Sequence, residues 1–173
     1  MRRIATLVAT GAVAAAAAIA LAAGPASADT KSMETVPLGS LQSAPAGGVH
    51  ATATYHYWQI GGTKRSGYTR WSAPYDIAGV YTYGKYWNYK SKLALSVYGK
   101  DTKADGLAAG FEIKIPGEKY PLVITPKTGK KTFSDSGYVN AKYAYIREVL
   151  GHRNTKTKTF TVTKAGKYKK ISI

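Results

Sequence analysis

Residues 81–90, Tyr-Thr-Tyr-Gly-Lys-Tyr-Trp-Asn-Tyr-Lys, bring together the side chains that recognise charged polymers. Successive side chains of an extended chain point to opposite faces. Tyr81, Tyr83, Trp87 and Tyr89 therefore share one face with Lys85 among them, and Lys90 ends the run. Flat amphipathic rings stack on sugars or bases, and ammonium groups between them pair with an anionic backbone. The stripe is the densest part of a wider enrichment, because nine of the 14 Tyr and all three Trp fall within residues 55–98. The same rings also suit the rim of a core built without disulfides, since the chain has no Cys. Ligand face and core filler both remain open readings of the stripe at this level.

The charge balance points to the same class of ligand. Lys and Arg number 25 against 9 Asp and Glu, a formal net charge of +16. Loose clusters occur at Lys64-Arg65, at Lys127 with Lys130-Lys131, and along Lys156, Lys158, Lys164, Lys167, Lys169 and Lys170. An excess of this size creates a field that draws in polyanions such as teichoic acid, acidic polysaccharide and free DNA. Lys alternating with Thr, as near residues 155–164, equally marks a solvated or protected edge strand.

Catalytic and metal chemistry find little support. There is no G-x-S-x-G elbow, no H-E-x-x-H helix and no cysteine nucleophile. Glu112, Glu118, Asp135 and Glu148 are the available carboxylates for a glycosidase pair, but the sequence pairs none of them and places Glu112 on a wet strand face. Asp101 and Asp105 fall short of the oxygen ligands calcium needs and read as turn formers. His50 and His56 are too far apart in an extended chain to share a metal, and His152 stands beside Arg153 in a loop. The expectation is a non-enzyme with no cofactor and no metal.

The elements that must position these residues are strands. Met1-Arg2-Arg3, an apolar run over residues 4–23 and Ala26-Ser27-Ala28 form a secretory signal, so residues 1–28 are expected to be removed and the mature chain to start at Asp29 outside the cell. No later segment is apolar enough to span a membrane. Residues 29–49 mix Pro, Gly, Ser and Ala without a period and read as a flexible arm. The scattered Met33, Val36, Leu38 and Leu41 in that arm are candidate docking residues for another secreted protein. Residues 50–173 keep 22 Lys and Arg against 7 Asp and Glu.

Within this domain, β-branched and aromatic runs recur between Gly, Pro, Asn and Asp clusters, the pattern of an all-β, antiparallel sandwich-like single domain. The clearest strand is 107–115, with Leu107, Ala109, Phe111, Ile113 and Ile115 on the core face and Glu112 and Lys114 opposite. Leu93, Leu95 and Val97 alternate likewise, and Asp101 to Gly106 reads as a hairpin turn joining the two runs. Further strands are expected at 51–60, 77–84, 85–90, 119–125, 138–149, 157–163 and 167–173. Residues 141–150 fit either a strand or a helix capped by Asn140 and stopped at Gly151, with the aromatic residues favouring the strand.

The segment SKLALSVYGKDTKADGLAAGFEIKI (91–115), followed by YAYIREV and TKTFTVT, resembles a group of small actinobacterial secreted proteins that share a D-T-x-A-D-G turn between two strands. The resemblance implies export and a β fold and carries over no catalytic residue. Charge and aromatic stripe together lead to a secreted, non-catalytic binder of extracellular anionic polymer, cell-wall or capsular polysaccharide. The alternatives are an adaptor docking through its arm and a basic antimicrobial or toxin component.

Overall fold

The computed structural model describes residues 34–43 and 53–173. The expected signal peptide and residues 29–33 and 44–49 of the expected arm, Met33 among them, lie outside the described residues. The described residues contain no helix. Their strands are β1 (Thr35–Pro37), β2 (His56–Ile60), β3 (Thr69–Trp71), β4 (Val80–Tyr89), β5 (Lys92–Asp101), β6 (Ala108–Lys114), β7 (Leu122–Ile124), β8 (Thr132–Val139), β9 (Tyr143–Asn154), β10 (Thr159–Ala165) and β11 (Lys169–Ser172).

Two sheets result, and the all-β, antiparallel sandwich-like expectation holds. One sheet has the order β3-β2-β4-β5-β8, antiparallel except for the parallel β2–β3 pair. The other runs β1-β10-β9-β6-β7, with β11 beside the first half of β9. Period-2 alternation places the core between them. Trp58, Ile60, Leu93, Leu95 and Val97 from the first sheet meet Ala109, Phe111, Ile113, Ala144, Ile146, Leu150 and Ile171 from the second. Trp58 is fully buried and stacks on Trp71 and Phe111, with ring centroids 5.6 and 5.2 Å away.

The arm departs from expectation over its described part. Thr35, Val36 and Pro37 pair with Thr161, Phe160 and Thr159 at the β10 edge. Beyond β1, the Leu38 N–H donates to the Lys158 carbonyl at 2.8 Å and the Gly39 N–H to the Val123 carbonyl at 3.2 Å. One segment thus touches both edges of the six-stranded sheet and curls it around a second apolar cluster of Val36, Val123, Val149 and Phe160. Leu38 packs on that cluster and Leu41 belongs to the main core. Of the residues read as partner-docking groups, Val36 lies in a strand added to this chain's own sheet, and Leu38 and Leu41 pack on its cores. Burying a Val or Leu contributes about 1.5–3 kcal/mol, enough to order a short segment whose backbone also finds hydrogen bonds.

Other local expectations change for similar reasons. The runs 77–84 and 85–90 form the single strand β4, which returns into β5 through Lys90 and Ser91 at φ 50° and 63°, with Asn88 Oδ1 accepting the Ser91 N–H at 2.9 Å. The expected strand 138–149 is split, its start closing β8 and the rest forming β9; residues 141–150 are not a helix. The run 101–106 is not a hairpin turn, because β5 pairs with β4 and β8 whereas β6 pairs with β7 and β9. It crosses between sheets, and Asp101 and Asp105 still shape it by accepting the N–H groups of Lys103 and Leu107 at 3.0 and 3.1 Å.

Candidate functional site

Thr82 and Val80 face the core, so the odd-numbered residues of β4 project from the outer face of the five-stranded sheet. Tyr81, Tyr83, Lys85, Trp87 and Tyr89 stand there half-buried, as the alternation predicts, and Lys90 lies at the adjoining turn. The register brings further residues alongside. Tyr57 on β2 is opposite Lys85, and on β5 Lys100, Tyr98 and Lys92 are opposite Tyr81, Tyr83 and Tyr89. Tyr138 on β8 extends the face past Ala94.

Ring-to-ring contacts run along this face. Tyr57, Tyr68, Tyr83 and Tyr98 follow one another at centroid separations of 5.2, 6.0 and 4.7 Å, and Tyr81 joins Tyr83 at 5.6 Å. Trp87 contacts Tyr55 at 5.4 Å, and Tyr89 contacts Tyr138 at 5.7 Å. Cations sit over these rings. Arg65 lies 4.1 Å from the Tyr83 centroid and 5.2 Å from that of Tyr68. Lys85 Nζ lies 4.2 Å from Tyr55 and 5.6 Å from Trp87, and Lys92 Nζ lies 4.7 Å from Tyr138. The outward positions of β2, β4, β5 and β8 include no Asp or Glu.

Local structure explains how Arg65 is held. Gln59 is outward-facing yet fully buried, because the loop after β2 folds over it. Its amide donates to the carbonyls of Gly61 and Thr63 at 2.9 and 3.0 Å, and its Oε1 accepts the Arg65 N–H at 2.6 Å. Gly61 and Gly62 both take positive φ, and a Cβ on Gly62 would meet the Tyr81 ring at 2.6 Å. Only glycine fits that position without moving a ring of the face. The hydrogen bond with Tyr81 raises the Arg65 pKa, and burial raises that of the Tyr83 phenol despite Arg65 nearby. Both groups thus keep their cationic and neutral forms across the physiological range.

Beside the rings an open groove of about 970 Å³ is lined by Lys64, Arg65, Lys100 and Lys103 together with Tyr81, Tyr83 and Tyr98, with Asp76 as its single acid. Sequence reasoning named the β4 residues and Lys90 but not Arg65, Tyr57, Tyr68, Tyr98 or Tyr138 as partners. The alternation of Ser96, Tyr98 and Lys100 against Leu95 and Val97 was a usable signal for Tyr98. The Arg65 loop had none, since its position depends on a long-range fold.

Three of the candidate carboxylates, Glu112, Asp135 and Glu148, are held apart by the fold. Glu112 and Glu148 are both fully buried and on opposite faces of the same sheet, and Asp135 Oδ2 accepts the Leu41 N–H at 2.7 Å. Glu112 is not on a wet face as the strand pattern implied: the curl of its sheet encloses it with Arg147, whose Nη2 donates to Glu112 Oε2 at 2.8 Å. Among the described residues no three His, Cys, Asp or Glu side chains gather in a metal-binding arrangement. Comparison of the chain with family models, with curated proteins and with solved structures finds no match.

Proposed function

We propose that this chain is a secreted, non-catalytic protein that binds an extracellular anionic polymer, cell-wall or capsular polysaccharide. The observation that carries the reading is the outer face of the five-stranded sheet, where linked Tyr and Trp rings alternate with Arg65, Lys85 and Lys92 and no carboxylate intervenes. Rings supply stacking surface for sugar planes, and the cations supply long-range attraction for an anionic chain. The signal-like first 28 residues support export. The adaptor reading is weaker, because Val36, Leu38 and Leu41 are occupied by this chain's own sheets.

The two contributions separate by salt. A stacked ring contributes about 1–3 kcal/mol, so Trp87→Ala is expected to weaken binding roughly 5- to 150-fold at every salt concentration. Lys85→Ala with Lys90→Ala is expected chiefly to flatten the dependence on salt, since screening acts on the charge contribution alone. The measurement is retention of purified mature protein on washed cell walls, chitin, cellulose and DNA across a salt series. No retention on any of them at about 50 mM salt would remove the reading. Growth inhibition of the cells by the same protein would instead favour the antimicrobial rival.

A further inference from the structure

A second ring-and-cation face lies on the other sheet. Ala144 and Ile146 point into the core between the sheets, so alternation along β9 turns Tyr143 and Tyr145 to the opposite, outer side. Lys114 on β6 and Lys170 on β11 are both register partners of Tyr145 and flank it on that side. Tyr143 and Tyr168 complete the patch, with centroids 5.9 and 6.4 Å from that of Tyr145. Lys170 Nζ lies 4.4 Å from the Tyr143 centroid and Lys114 Nζ 5.8 Å from that of Tyr168. Both lysines are exposed and the three rings are half-buried.

The patch is rigidly supported. Tyr168 donates its hydroxyl hydrogen bond to Glu112 Oε1, and the Arg147 guanidinium lies 4.2 Å from its ring centroid. A ring held from below loses little freedom when a sugar stacks on it, which favours binding. The outer faces of two packed sheets look in opposite directions. One straight polymer strand therefore cannot lie on both faces at once.

We infer that this domain has two faces for the same class of anionic polymer and bridges separate strands. The inference rests on the polymer-binding reading above and adds valence to it. Bridging links surfaces through many domains, so its loss is far larger in an avidity measurement than in simple binding.

The test uses the mature protein and washed cell walls, with binding followed by co-sedimentation and bridging by agglutination. Wild type is expected to do both. Lys114→Glu with Lys170→Glu alters only exposed side chains and should leave binding through the β4 face while raising the protein concentration for agglutination about tenfold or more. Lys156→Glu with Lys158→Glu makes the same charge change at exposed positions in the turn between β9 and β10, so it lowers the overall field equally and should agglutinate at a clearly lower concentration than the Lys114/Lys170 variant. Agglutination by the Lys114/Lys170 variant at the wild-type concentration would overturn the inference, as would equal loss in the Lys156/Lys158 variant. Wild type that binds walls without agglutinating them overturns bridging alone, and wild type that does not bind overturns both readings.

Discussion

Replacing Arg147 with methionine is expected to destabilise the folded domain by about 3–5 kcal/mol, the cost of leaving a buried charge without its partner. Glu112 is fully buried, and its carboxylate is met by Arg147 Nη2 at 2.8 Å and by the Tyr168 hydroxyl. Glu34 also reaches Arg147, at 3.3 Å, but from a half-exposed side chain that solvent screens. Burial by itself would lower the Arg147 pKa, and the hydrogen bond and charge of Glu112 more than offset it, so the net shift is upward. Burial, followed by the Glu112 contact, raises the Tyr168 pKa and keeps the phenol a donor. Methionine fills much of the arginine volume yet leaves the carboxylate with one partner. The double change Glu112→Leu with Arg147→Met removes both charges and should recover most of the loss, because a matched apolar pair has no desolvation penalty. Chemical denaturation of the four proteins in a double-mutant cycle is the measurement. A loss of under about 1 kcal/mol in Arg147→Met, the range of an exposed pair, would show that water screens this site.

Glu148→Gln is expected to stabilise the domain at alkaline pH and to change it little near pH 5. Glu148 lies in the core between the sheets, where its Oε2 accepts the Ile77 N–H at 3.1 Å and its Oε1 the Thr82 hydroxyl at 2.9 Å. Burial pushes its pKa up to about 8, and these hydrogen bonds offset that only in part. Between the ordinary 4.5 and about 8, the folded chain holds a proton that the unfolded chain has released. Stability therefore falls as pH rises through that window and levels off above it. Glutamine imitates the protonated acid: its carbonyl still accepts from Ile77 and its amide donates to the Thr82 oxygen. The variant lacks this slope and should exceed wild type by on the order of a few kcal/mol at pH 9. Melting temperatures of both proteins from pH 5 to 9 decide it. A difference that does not change with pH would mean that Glu148 is ionised throughout in the fold.

The two buried carboxylates show where a linear reading stops. Alternation correctly placed Glu112 on the face opposite Phe111 and Ile113, but whether that face is wet depends on the curl of the sheet. The curl is made by Leu38 and Gly39, seventy or more positions earlier in the chain, bonding to both sheet edges. Glu148 shares the core face with Ile146 and Leu150, an assignment that residues 141–150 supported only if they formed a strand.

What the sequence determined by itself is local: the β class, the core faces of 93–97 and 107–115, the shared face of Tyr81, Tyr83, Lys85, Trp87 and Tyr89, and the backbone-shaping roles of Asp101 and Asp105. Each follows from period-2 alternation or from short-range side-chain-to-backbone bonding, which neighbouring residues set without distant help. Tertiary structure decided which strands pair, that 101–106 crosses between sheets, that residues 34–43 join the fold, and that Arg65, Tyr68 and Tyr98 gather on the β4 face. Pairing and enclosure depend on contacts far apart in sequence, whose loop-closure cost is repaid only when both partners and the apolar surface between them are assembled together.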